Sequence, residues 1–203
     1  MNIEWMVIRG SGIVAFALLS ASSIWGLLVS TKVLGRAVKA KPVTWFHESL
    51  GLGALIATIV HMVALTMDQY VEFGWADVLV PGMASWNSMA VSFGVMAFYG
   101  LAIVSLSFYV KGAIGQKAWR TIHFLAFGTF LAALVHGIMA GTDSGHPVVV
   151  ALYFGSALLI VALVAIRVIQ QRAGTDRPAA RRPVATTRTQ QLESDQVPAT
   201  VGD

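Results

Sequence analysis

Four histidines stand inside stretches that are otherwise apolar. His47 and His61 lie in FHESLGLGALIATIVH, fourteen positions apart, and His123 and His136 bracket HFLAFGTFLAALVH, thirteen apart. Imidazole changes charge near neutral pH and is the commonest metal ligand. Ionisable side chains within apolar segments are costly and tend to mark functional positions. On an ideal helix, fourteen residues fall about 40° short of four turns, so His47 and His61 share a face. Thirteen residues fall about 140° short. The helix carrying His123 and His136 must therefore be overwound or bent, with Gly128 to ease the bend, or its two rings must serve groups approaching from different azimuths.

The elements that position these residues follow from composition. Of 203 residues, 56% are hydrophobic and 12% charged, with a mean hydropathy of +0.71. That balance belongs to a membrane protein. The absence of cysteine excludes disulfides, zinc–thiolate sites and iron–sulfur clusters. Stretches of about 20 apolar residues span a bilayer, and five qualify, at roughly 10–31, 45–67, 86–110, 118–141 and 147–169. The second to fourth are rich in glycine and alanine, which let membrane helices approach closely. No period-two alternation suggests a barrel. Arg9 followed by an apolar run resembles a signal peptide, but the run continues through IWGLLV past the small residues, so it reads as a retained helix.

The loops set the orientation. Lys32, Arg36, Lys39 and Lys41 lie between the first two segments with no acid, and Lys111, Lys117 and Arg120 follow the third. Asp68, Glu72 and Asp77 occupy the second connection, Asp143 the fourth, and six arginines begin at Arg167. The positive-inside rule puts the basic connections in the cytoplasm, with Arg9 as the lone exception. The expectation is an all-α integral membrane protein, a five-helix transmembrane bundle in the cytoplasmic membrane, with the N-terminus outside and the C-terminus cytoplasmic. Residues 1–169 form the membrane domain, and the polar, proline- and threonine-containing 170–203 form a disordered cytoplasmic tail. The net charge of +4 reflects topology rather than nucleic-acid binding.

The second and fourth segments then run in the same direction. His47 and His123 enter near the inner face, and His61 and His136 lie about 20 Å further out. Each leaflet holds one pair. Histidines hydrogen-bonded to neighbouring helices are one reading. A proton path is another, but it wants carboxylates at mid-membrane, where the segments carry almost none. Haem is the third, because iron takes neutral imidazole from both sides and a porphyrin replaces apolar packing. A bare zinc ion suits two imidazoles poorly, since its tetrahedron stays half filled.

His-x13-His on one helix and His-x12-His two helices later resembles the membrane domain of the ferric reductase and NADPH oxidase superfamily, in the spacing of the NADPH oxidase branch. The resemblance covers about residues 45–141. It implies two haem b groups, with His47 and His123 ligating the iron of the inner one and His61 and His136 that of the outer one. It also implies electron transfer from a cytoplasmic donor to an outer acceptor. Two features depart from the family. Only about 34 polar residues follow the last segment, with no Gly-rich strand–turn–helix for a pyrophosphate, and five helices are expected where six are common. The chain is closer in this to the stand-alone bacterial members, one of which is the haem subunit of a periplasmic methionine sulfoxide repair system. The donor would be a separate flavoprotein or membrane quinol. Rival readings are a quinol-linked cytochrome b anchor of a peripheral oxidoreductase, and a haem-free scaffold or transporter.

The haem reading gives the surrounding residues candidate roles. Arg120, with Lys41 or Lys117, could neutralise inner haem propionates, and positive-inside topology with an interfacial Trp119 accounts for the same residues equally well. Gln69, Tyr70, Trp86 and Asn87 stand at the outer end, where an aromatic belt explains the rings equally well. His146 reads as a solvated loop histidine, Glu48 lies off the His47 face, and Met62, Met67 and Met139 read as packing. No catalytic acid or base is identified.

Overall fold

The computed structural model describes residues 3–31, 40–69 and 71–175. Of these, 87% are helical, and none is in a strand. Five helices follow in order: α1 (Ile3–Ser30), α2 (Ala40–Met67), the short α3 (Trp75–Leu79), α4 (Ser88–Ala140) and α5 (Pro147–Thr175). Among the described residues, all but α3 are long and apolar enough to cross a membrane, four in number. Their outer surfaces suit lipid: Phe154, Leu158 and Val161 are 63%, 72% and 65% exposed. Soluble monomers rarely expose apolar side chains on that scale.

The helices run longer than hydropathy alone marks. α1 begins at Ile3 rather than near 10, and α2 begins at Ala40, with Pro42 in the first turn where no intrahelical donor is needed. α5 continues past 169 to Thr175. The rest of the expected tail, 176–203, lies outside the described residues, as do Lys32, Arg36 and Lys39. The chain separates into two units, Met1–Arg167 and Val168–Asp203. The histidines all belong to the first.

The third and fourth segments join as α4, whose 53 residues are two helices that meet directly at a kink, without a longer loop between them. A straight helix of that length would measure about 80 Å, far beyond the roughly 30 Å of a hydrocarbon core. It is broken at Gly115 (φ 80°, ψ 160°), a conformation essentially reserved for glycine. The two limbs, 88–114 and 116–140, lie alongside each other. His136 reaches Ala90, and the Asn87 amide donates to the Met139 carbonyl at 3.0 Å. Gly100 lies against Thr129 between the limbs. No non-helical residue falls between His123 and His136, so Gly128 introduces no break.

α1 and α2 pack antiparallel, with residues 8 and 22 of one meeting 61 and 47 of the other. The main core joins α1, α2, α4 and α5 through residues such as Phe16, Leu55, Phe130 and Tyr153. Phe16 touches the rings of Phe130 at 5.6 Å and Tyr153 at 4.8 Å. Gly137 makes room for the Tyr153 hydroxyl, which a Cβ there would meet at 2.6 Å. Small residues in a membrane helix interface serve this close approach. The short α3 went unanticipated. Its start is fixed by the Asp77 carboxylate, which accepts the Gly74 N–H at 2.7 Å.

Candidate functional site

Two imidazole pairs form between α2 and the second limb of α4. The ring centroids of His47 and His123 are 5.9 Å apart at an interplanar angle of 72°, and those of His61 and His136 are 6.4 Å apart at 77°. No helix break between His123 and His136 relieves their offset of about 140°.

Three of the four rings are held by the same local device. Nδ1–H of His61 donates to the Ile8 carbonyl at 2.8 Å, that of His47 to the Ser22 carbonyl at 2.9 Å, and that of His136 to the Ala90 carbonyl at 2.8 Å. Four residues after each acceptor stands a glycine: Gly12, Gly26 and Gly94. The reason is geometric. In an α-helix the side chain at i+4 leans back over the turn that holds carbonyl i. Removing its Cβ opens that carbonyl to a ring from a neighbouring helix. A Cβ on Gly12 would meet His61 at 3.1 Å, one on Gly26 would meet His47 at 3.0 Å, and one on Gly94 would meet His136 at 2.7 Å. The Ser22 hydroxyl adds a 3.1 Å contact to His47 Nδ1 and donates to the His47 carbonyl at 3.2 Å.

A neutral imidazole that donates from Nδ1 keeps its lone pair on Nε2. This is the arrangement of metal-ligating histidines, whose far nitrogen is fixed by a carbonyl or carboxylate. The spacing also suits an ion between the rings: bonds of about 2 Å to each nitrogen separate the centroids by roughly 6 Å. Among the described residues no group of three or more His, Asp or Glu gathers to cage a bare ion. Each site offers two imidazoles and no third ligand among the described residues.

A cavity of about 230 Å³ opens beside the outer pair, lined by His61, His136 and apolar residues including Phe16, Leu19, Val95 and Leu101. Trp86 and Asp68 also line it, whereas Gln69 is exposed and Tyr70 lies outside the described residues. At its edge the Arg9 guanidinium and the Asp143 carboxylate form a two-pronged ion pair from α1 to the connection between α4 and α5. Sequence reading took Arg9 as a signal-peptide-like charge and as the exception to positive-inside topology, and gave it no partner. Met62 faces the cavity, while Met67 and Met139 are exposed. His146 is exposed, and its carbonyl and ring accept N–H groups of the first turn of α5 at Val150 and Val148.

In the His47–His123 pair, His123 has no glycine-flanked carbonyl among the described residues. Its ring stacks on Trp119, centroid to centroid 5.1 Å at 25°. Arg120 and Lys117 are exposed, and the Lys41 side chain is outside the described residues. Glu48 turns to the Tyr109 hydroxyl rather than to a histidine of α4. The glycine seats escaped sequence reading, although Gly12 and Gly26 repeat the fourteen-residue interval of His47 and His61. No family model, curated protein or solved structure matches the chain.

Proposed function

We propose that the chain is a dihaem b-type membrane cytochrome that passes single electrons outward across the cytoplasmic membrane. His47 and His123 would hold the inner haem, and His61 and His136 the outer one. The observation that carries this reading is the meeting of four histidines in two pairs, three of them anchored through Nδ1 so that Nε2 is left to a metal. Bound haem supplies one-electron redox chemistry. The protein's part is to hold the rings, keep water out with apolar walls, and bind the haem carboxylates, with Arg120 available at the inner end. Carbonyl bonds to Nδ1 also raise the basicity of the ligating nitrogen, which favours the oxidised metal.

In this reading α4 crosses the membrane twice, turning at Gly115, so the chain has five spans with its N-terminus outside. The basic residues near the turn then face the cytoplasm. Arg9 no longer counts against that orientation, because Asp143 neutralises it. The electron donor is a separate cytoplasmic flavoprotein or membrane quinol, and the acceptor lies beyond the outer face.

Electron transfer is testable in proteoliposomes loaded with ferricyanide and supplied with an impermeant external reductant. Wild-type protein is expected to bleach the trapped ferricyanide. His61→Ala should stop this while leaving one haem reducible. Bleaching no faster than in protein-free liposomes would overturn the proposal.

A further inference from the structure

The two limbs of α4 meet at a corner that the haem ligands do not use. Lys111 and Trp119 stand four residues to either side of Gly115. On an unbroken helix they would be about 12 Å apart along the axis. With the break, the Lys111 ammonium lies over the Trp119 indole, 4.2 Å from its ring centroid. The same indole stacks on His123, whose ring faces His47. A continuous series of contacts therefore runs from the ammonium to the inner imidazole pair.

Both polar groups at this corner are donors, and among the described residues neither meets an acceptor. The Trp119 Nε1–H is buried and has no hydrogen-bond partner among the described residues. Lys111 makes no ion pair among them, and the one ion pair present is Arg9–Asp143 at the other end of the spans. A buried indole N–H normally finds a partner, and a cation over an aromatic face still has N–H bonds to give. The missing chemistry is a carboxylate: acceptor-only, negatively charged, and able to take a bond from each donor.

Resting on the dihaem reading, we propose that Lys111 and Trp119 form a carboxylate-binding corner that takes a propionate of the inner haem. The propionates project from one edge of the porphyrin, and the contacts from Lys111 through Trp119 to His123 set the corner beside the inner imidazole pair. The corner also explains why His123 needs no carbonyl seat. Trp119 holds the ring by stacking and the haem by its N–H.

The test uses full-length chain carrying His136→Ala, which leaves only the inner site, reconstituted with haem b or with haem whose propionates are methyl esters. The unmodified corner should bind haem b about tenfold tighter than the diester. Lys111→Gln and Trp119→Phe, the latter keeping an aromatic ring against His123, should each erase most of that preference. In the two-haem protein, Lys111→Gln should lower the potential of the inner haem alone. Equal weakening of both haem forms would show a merely structural corner. An unchanged preference would place the carboxylate elsewhere, leaving the corner to a lipid headgroup. Both results overturn the proposal with the dihaem reading intact. Failure of the unsubstituted corner to bind either form would sink both.

Discussion

The unit of construction in this molecule is an imidazole donating to a helix carbonyl exposed by a glycine four residues on. It occurs at Ile8 and Gly12, at Ser22 and Gly26, and at Ala90 and Gly94. The glycines' tolerances differ, and that gives a graded expectation. Gly94→Ala puts a Cβ 2.7 Å from His136 Nδ1, closer than real contacts allow, so the ring or the limb must move. Haem affinity of the outer site should fall about 10- to 100-fold, as for other losses of support behind a ligand. Gly12→Ala, at 3.1 Å from His61, should cost less, and its effect should also be confined to the outer haem. Haem retention during gel filtration at rising detergent measures both. The histidines were legible because a polar ring stands out in an apolar segment. Their acceptors were not, since a backbone carbonyl carries no residue-type signature. The partner of Arg9 was not legible either. Asp143 is 134 positions away, and charge counting by loop cannot pair them.

At the scale of elements, the apolar segments and their order could be read from the sequence, but the tight connection at 111–117 could not. Lys111 and Lys117 made 111–117 look like a loop, yet six of those seven residues continue the helical conformation and Gly115 alone breaks it. Hydropathy reports which residues avoid water and says nothing of backbone dihedrals. Gly128, also chosen on residue type, sits in unbroken helix. Any side chain at Gly115 is strained at φ 80°, by about 1–3 kcal/mol. Gly115→Ala should therefore lower the melting temperature, followed by tryptophan fluorescence in detergent. It should also loosen the inner site more than the outer, because Lys111 and Trp119 flank the break. Inner and outer haem lost in equal measure would contradict that.

At the scale of the whole molecule, the orientation rests on where charge sits, and the chain lends itself to a direct check. It has no cysteine, so a single introduced thiol is unambiguous. Lys117→Cys should react with a membrane-impermeant maleimide only in inside-out vesicles, and Gly145→Cys only in intact spheroplasts. Both residues are exposed. The Arg9–Asp143 pair ties the start of α1 to the connection before α5 beside the outer cavity. Arg9→Asp and Asp143→Arg alone should each lower thermal stability, and together should recover part of it. A double variant no better than the sum of the singles would show the pair to be incidental.

The most direct measurement is the haem content of the purified full-length chain, by pyridine haemochrome, after expression with ample haem. Two b-type haems per chain are expected, falling to one in His61→Ala or His136→Ala and to one in His47→Ala or His123→Ala. A colourless wild-type protein, or haem content indifferent to all four substitutions, would contradict the dihaem assignment.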